Sequence, residues 1–383
     1  MYATHLQTEY LTEPLGLGIA APRFYWHCAD GVRQTAYQII ARCSNAVVWD
    51  SGKVASAEMT QIRYEGKPLK SRDCVRWTVQ LWDETDTPGK TAESRFELGL
   101  LDPQDWRAQW MSGDYTPKKK QRYPVDCFRK SFETAHTVAS ARLYATACGI
   151  YDVTLNGKRL ADFVLAPGVT DYRKRLQYQV YDVTPLLQSS NVLELRLADG
   201  WYRGSIAAYG VENVFGTQTG VLAQLEIIGI DGSTDTIVTD SSWAWSNDGA
   251  IRFADLKDGE IYDAAKTPAY AGRARVIQPM KAARLVASDN VPVREKERFS
   301  PRLLTAKDGA RVLDFGQNIA GYLAFTVQGK PGQRLRLICG EVLDADGHVN
   351  LSGVQETRPV KGWSNFSLIA KLLGKPPSGL VQA

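Results

Sequence analysis

Metal and nucleophile chemistry have little to work with in these 383 residues. There are four histidines and six cysteines, the latter at positions 28, 43, 74, 127, 148 and 339. No two cysteines fall in a C-x-x-C spacing, which removes zinc-ribbon and thioredoxin-type motifs. His5, His27, His136 and His348 are scattered singly, none beside a serine or cysteine nucleophile motif, so histidine-based covalent catalysis has no carrier. All the cysteines but Cys339 sit in apolar strand-like runs, such as Ala145-Thr146-Ala147-Cys148, and read as buried free thiols. No run approaches the roughly 18 apolar residues that cross a bilayer. The opening MYATHLQTEYLTEPLG lacks the basic and apolar regions of a secretory signal, so the expected location is the cytoplasm, with no membrane partner. Charge of one sign is also scarce. A formal balance of +4 and one short basic run, Lys118-Lys119-Lys120-Gln121-Arg122, describe a solvated loop and exclude nucleic acid as the expected partner.

Amphipathic helices are missing too, and a period of two takes their place. In residues 149–204, apolar positions alternate with polar ones, as in Tyr151/Val153/Leu155 and Val192/Leu193/Leu195/Leu197, and Asn-Gly, Pro-Gly and Asp-Gly pairs punctuate the runs. Asn156-Gly157 supplies the positive backbone angles of a tight hairpin. Asp199-Gly200 ends the next run and presents Trp201 and Tyr202 at a strand end or loop. The chain is too long for one core, since single cores stop growing at roughly 250–300 residues.

Taken in order, residues 1–102 hold short strands at 23–26, 36–41, 47–49, 74–82 and 94–98, with turns at the spacing of an immunoglobulin- or fibronectin III-like sandwich. Trp77 and Trp82, five apart, fall on opposite faces of one strand, so one is core and the other partly exposed. Residues 103–286 carry strands at 127–132, 141–147, 221–228 and 236–239, the pattern of a jelly-roll sandwich. The glycine-rich loop 204–220 is expected to rim it. Residues 287–352 alternate again at 312–327 and 334–338 but are few for an independent sandwich. Residues 353–383 form a divergent tail, either poorly ordered or with a short helix at 365–373. The expected fold is all-β, tandem sandwiches with the third incomplete.

The order of motifs resembles the N-terminal portion of the bacterial α-L-rhamnosidases, glycoside hydrolase family 78. The residues that carry the resemblance begin with Pro22-Arg23-Phe24, Gln34-Thr35-Ala36-Tyr37-Gln38-Ile39 and Trp49-Asp50-Ser51-Gly52. They continue with Leu155-Asn156-Gly157, Ala166-Pro167-Gly168, Tyr181-Asp182-Val183-Thr184, Gly200-Trp201-Tyr202-Arg203-Gly204 and Gly259-Glu260-Ile261-Tyr262-Asp263-Ala264. Asp314-Phe315-Gly316-Gln317-Asn318-Ile319-Ala320-Gly321 and Gly340-Glu341-Val342-Leu343-Asp344 complete the series. Singly weak, these are specific in one order.

The resemblance implies a fibronectin-like domain, a carbohydrate-binding-like jelly roll and a concanavalin-like sandwich. In the family these precede an (α/α)6 barrel whose acidic residues release terminal α-L-rhamnose from glycosides with inversion, a reaction needing two carboxyls spaced to admit a water. No residue here matches those acids. The expectation is therefore a truncated chain, inactive alone, without a cofactor and with a rhamnose-containing glycoside as partner. A stand-alone rhamnoside-binding β-protein is the alternative.

Asp199, Trp201, Tyr202 and Arg203 are the expected substrate contacts. An aromatic face stacks on a pyranose while an arginine and a carboxylate satisfy its hydroxyls. The other reading of the same residues has Trp201 plugging the sandwich and only Arg203 exposed. Asp255, Asp258, Glu260 and Asp263 offer a carboxylate cluster open to reading as a glycosidase acid pair or a calcium site, but it lacks the spacing of a calcium loop and reads as structural, pinning a strand end. Asp314, Gln317, Asn318 and Glu341 read as turn caps. Strand edges at 323–327 and 335–338 are expected to invite self-association.

Overall fold

The computed structural model describes residues 1–119, 121–206, 211–278, 284–329, 337–350 and 380–382. The first 98 residues form β1 (Tyr2–Thr8), β2 (Leu15–Leu17), β3 (Arg23–Ala29), β4 (Ala36–Cys43), β5 (Ala46–Asp50), β6 (Ile62–Arg63), β7 (Cys74–Trp82) and β8 (Ala92–Leu98). They pack as a five-stranded sheet, β2-β8-β7-β4-β5, against a three-stranded one, β1-β3-β6. Alternation sets the faces: β7 buries Val75, Trp77, Val79 and Leu81 and leaves Trp82 half-buried on its other side. The same alternation overturns one reading of the cysteines. Cys74, the first residue of β7, points outward and is exposed, Cys339 is exposed, and Cys28 and Cys43 are half-buried; only Cys127 and Cys148 are buried.

A second sandwich follows from β9 (Met111–Ser112), β10 (Asp126–Glu133), β11 (Val138–Cys148), β12 (Ile150–Leu155), β13 (Lys158–Arg159), β14 (Arg175–Asp182), β15 (Ser190–Ala198), β16 (Gly220–Gly229) and β17 (Thr234–Val238). β18 (Ala244–Ser246), β19 (Ile251–Asp255), β20 (Gly259–Tyr262), β21 (Gly272–Arg273), β22 (Arg275–Val276) and β23 (Arg284–Ala287) complete it. A six-stranded sheet in the order β13-β12-β15-β10-β18-β21 faces a seven-stranded sheet running β22-β9-β16-β11-β14-β23, with β17 beside β16. Tyr151, Val153 and Leu155 of β12 pair across to Leu197, Leu195 and Leu193 of β15, and these meet Leu143, Val221 and Leu225 from the opposite sheet in one core. The hairpin between β12 and β13 turns through Asn156 at φ 53° and Gly157 at φ 74°, the mirror-image turn that Asn-Gly favours.

The two sandwiches are bolted together by charge and by a phenol. Arg72 binds Glu226 through Nε (2.6 Å) and Nη2 (2.7 Å), and Asp105 through Nη1 (2.7 Å). Arg142 holds Glu97 at 2.8 Å, and Tyr178 Oη accepts from Leu100 N at 2.7 Å. Gly16, at φ 86°, lies where a Cβ would fall 2.2 Å from Val180 Cγ2, so this contact needs a residue without a side chain.

The last ladders are slight. β24 (Arg302–Thr305) pairs with β25 (Arg311–Asp314), and β26 (Ala324–Thr326) with β27 (Leu380–Gln382), each as a two-stranded sheet. Of the strand expected at 334–338, residues 334–336 lie outside the described residues and Leu337 and Ile338 belong to no strand; the helix expected at 365–373 also lies outside them. Among the described residues there is no helical barrel, and α-helix is confined to one turn, α1 (Gly200–Arg203).

Candidate functional site

That turn is the quartet singled out above. β15 ends at Ala198 and the chain coils at once: Arg203 N bonds Asp199 O at 3.1 Å and Gly204 N bonds Gly200 O at 3.1 Å. Gly200 is required here, at φ 52° and with any Cβ only 2.7 Å from Ile150 N. The coil turns three of the four side chains inward. Tyr202 is 2% exposed, Arg203 4% and Asp199 7%, while Trp201 keeps part of its ring at the surface. The burial of Arg203 corrects the reading in which only it was exposed: the one-turn helix rolls residue 203 under the loop where a straight strand end would have left it out.

Inside, Arg203 is spent on protein. Its Nε and Nη2 donate to Asp199 Oδ1 at 2.9 and 2.6 Å, and its Nη1 donates to Tyr115 Oη (3.2 Å) and Thr217 O (3.3 Å). Tyr115 Oη donates on to Asp126 Oδ2 at 2.9 Å, whose Oδ1 accepts from Trp245 Nε1 at 2.9 Å. The result is a buried relay Asp199–Arg203–Tyr115–Asp126–Trp245. Burial opposes the charge on Arg203, but Asp199 and Tyr115 more than offset it and raise its pKa. Asp126 is fully enclosed, and burial pushes its carboxyl up to about 6 against the donors that hold it. Asp199 is raised by burial as well, with Arg203 opposing. An arginine clamped this way holds the sandwich rim and has no free donor edge for a sugar hydroxyl.

Tyr202 fills a satellite core with Cys148, Tyr172 and Leu176, meeting Tyr172 edge-on at 5.6 Å; Trp201, Trp110 and Phe215 pack on its margin. The rim loop folds back over it, since a Cβ on Gly216 would fall 2.4 Å from Tyr202 Oη.

The acidic stretch divides into separate tasks. Asp255 Oδ2 accepts from Ser205 N (2.7 Å) and its Oδ1 from the amides of Lys257 and Asp258 (2.8 Å each). Asp258 Oδ2 takes Arg122 Nη2 at 2.5 Å and Ser205 Oγ at 3.1 Å, and Asp263 Oδ1 caps Ala265 N at 3.1 Å. Together they pin the β19–β20 hairpin to the chain leaving α1. Glu260, half-buried on β20, is pushed up to about 7 by desolvation alone. Among the described residues no cluster of three or more potential metal ligands occurs. In the last ladders Asp314 caps Gly316 N at 2.8 Å and pairs with Arg302, whereas Gln317, Asn318 and Glu341 are exposed.

Three family models match the chain in sequence. Residues 3–102 match the Rha78A-like N-terminal immunoglobulin domain, 136–297 the alpha-L-rhamnosidase N-terminal domain and 304–364 the bacterial alpha-L-rhamnosidase concanavalin-like domain. An alpha-L-rhamnosidase of Formosa agariphila is 34% identical over 379 residues, and one of Alteromonas sp. is 33% identical over 365; they cover 90% and 88% of this chain. The chain in turn spans 40% of the length of each. Among solved structures, the Streptomyces avermitilis alpha-L-rhamnosidase complexed with L-rhamnose superposes with a TM-score of 0.86 at 25% identity, covering all of this chain and 54% of its own. The Aspergillus terreus enzyme gives a TM-score of 0.87 at 28% identity over all of this chain and 45% of its own. With an immunoglobulin-like sandwich, a two-sheet sandwich and a concanavalin-like segment in that order, the chain belongs to the bacterial α-L-rhamnosidases of glycoside hydrolase family 78, as their N-terminal β-domain portion.

Proposed function

We propose that residues 1–350 are the non-catalytic scaffold of an α-L-rhamnosidase, an enzyme that removes terminal α-L-rhamnose from glycosides by inversion, and that this chain alone does not turn over substrate. The observation that carries this is the asymmetry of the match, nearly the whole of this chain against 40% of its relatives. The division into a domain to residue 102, a jelly roll to 286 and a concanavalin-like segment to 352 belongs to the same reading, as does a cytoplasmic setting. The most strongly enclosed acid among the described residues, Asp126, is consistent with it, because a carboxyl sealed between Trp245 and Tyr115 has no route to a glycosidic oxygen. The assay is release of nitrophenol from an aryl α-L-rhamnoside. The expected rate is background, and turnover that survives repurification would overturn the proposal.

A second reading, rhamnoside binding by the chain itself, is favoured by one observation: Trp201 keeps part of its indole at the surface beside a loop that rims the sandwich. In that reading Trp201 is the platform, and Asp199, Tyr202 and Arg203 hold it in place from below. One stacked ring gives a weak grip, on the order of millimolar. Titrating rhamnose into wild type and Trp201→Ala, with a thermal melt of each, decides it. Binding lost at an unchanged melting temperature supports the platform, and equal titrations reject it.

A further inference from the structure

The six-stranded sheet buries one face in the core and turns the other outward, and its register arranges charge on that outer face. Arg159, Thr154, Glu194 and Arg129 lie in one row across β13, β12, β15 and β10, because Thr154 pairs with Arg159 and with Glu194, and Glu194 with Arg129. Asp152 and Arg196 stand in the neighbouring row, which ends at Cys127, buried beneath Gly249 and Pro268. Strands are about 4.8 Å apart and alternate residues about 6.8 Å, so the two rows frame a patch the size of one sugar ring.

Two of the three arginines are taken. Arg129 binds Glu194 at 2.7 Å and lies over the Tyr270 ring at 4.1 Å, while Tyr270 Oη donates to the same carboxylate at 2.9 Å. Arg159 Nε holds Asp152 Oδ1 at 3.0 Å, and its Nη2 donates to Phe163 O at 2.9 Å. Arg196 stands between them, exposed, and makes no ion pair or side-chain hydrogen bond with any described residue. Asp152 faces it across the β12–β15 pairing and Glu194 lies two residues along β15 on the same face, yet it binds neither, since each is held by its own arginine.

We propose that this face binds a uronic acid residue of a glycan, with the guanidinium of Arg196 taking the sugar carboxylate. A planar guanidinium offers the paired donors that a carboxylate accepts. Asp152, Glu194 and Thr154 flank it with acceptors for ring hydroxyls, held in place by Arg159, Arg129 and Tyr270. The charge also selects the ligand: with two carboxylates among three arginines, the patch favours one isolated carboxylate and disfavours a densely sulfated chain. This inference does not depend on the rhamnosidase reading.

Native electrophoresis of the full chain through gels holding polygalacturonate, dextran or dextran sulfate tests it, with wild type, Arg196→Gln and Arg76→Gln compared. Arg76, exposed on β7, gives the same change of charge away from the patch. Polygalacturonate should retard wild type and Arg76→Gln alike, dextran neither, and Arg196→Gln should bind about tenfold more weakly, the loss of one charge-assisted contact. Matched melting temperatures show that the variants are folded. No retardation of wild type, equal retardation in dextran, stronger retardation in dextran sulfate, or indistinguishable behaviour of the two variants each overturns the assignment.

Discussion

The second sandwich and the ladders at 302–350 are written in the same alternating pattern and end in different states. In the sandwich, Leu193, Leu195 and Leu197 of β15 are each about fully buried, because a second sheet lies across them. In the β24–β25 ladder, Leu303 pairs with Leu313 and both are exposed, at 55% and 51%, while Val312 on the opposite face is 9% exposed. Leu304 beside Val312 is half-buried, so this hairpin carries leucine on both faces and has only one of them covered. Alternation therefore specifies which side chains share a face. Burial depends on whether another layer exists to meet that face.

The largest expected effect follows directly. Phe128→Ala in β10 removes a fully buried ring and should cost the sandwich about 4 kcal/mol, whereas Leu313→Ala should cost under about 0.5 kcal/mol. Urea titrations of both variants check this, and comparable losses would break the contrast. Ion pairs give a second, slightly smaller version. Arg203→Ala strands the buried Asp199 carboxylate and should cost about 3 kcal/mol, while Arg302→Ala, whose side chain is 75% exposed in its pair with Asp314, should cost about 0.5 kcal/mol or less. If Arg203→Ala unfolds no earlier than Arg302→Ala, the buried relay is not holding the rim.

Much of the sandwich could be read from sequence because local rules suffice there. The run 74–82 gave its strand limits and the faces of Trp77 and Trp82, and Asn156-Gly157 announced its turn. Strand β1 carries no clean alternation in its sequence: Ala3 and Thr8 are buried, with a register shift between Thr4 and Gln7. The one-turn helix at Gly200–Arg203 is too short to show a period of 3.6, so the sequence pattern leaves Arg203 at the surface. Asp126 did leave a signal, an acid between Val125 and Cys127 in an apolar run. Its partners did not, since Trp245 lies 119 residues away and only the β10–β18 pairing brings it near. The quiet Arg196 was legible as an outward strand position, but its isolation between two occupied carboxylates comes from register.

The buried relay also makes the two regions differ in their response to pH, the smallest of the expected effects. Asp126 rises from 3.8 to about 6 on folding because burial disfavours its ionised form. The folded state then holds a proton that the unfolded chain has released between those values, so stability falls as pH rises through this window and levels off above it. A shift of this size corresponds to about 3 kcal/mol at most, and less once the relay relaxes around the charge. The ladders carry the opposite dependence: Asp314 is held below its usual range by Gly316 N and Arg302, so its contribution is lost only as pH drops below about 4. Between pH 5 and 7 the sandwich should therefore weaken while the ladders do not respond. Asp126→Asn keeps an acceptor for Trp245 and cannot ionise, so its urea midpoint should decline less steeply than that of wild type. Glu260, raised to about 7, contributes a slope of the same sign, which Glu260→Gln removes separately. Equal slopes in wild type and Asp126→Asn would show that the enclosed carboxyl is already ionised at pH 5, and that Arg203 reaches through Tyr115 strongly enough to offset its burial.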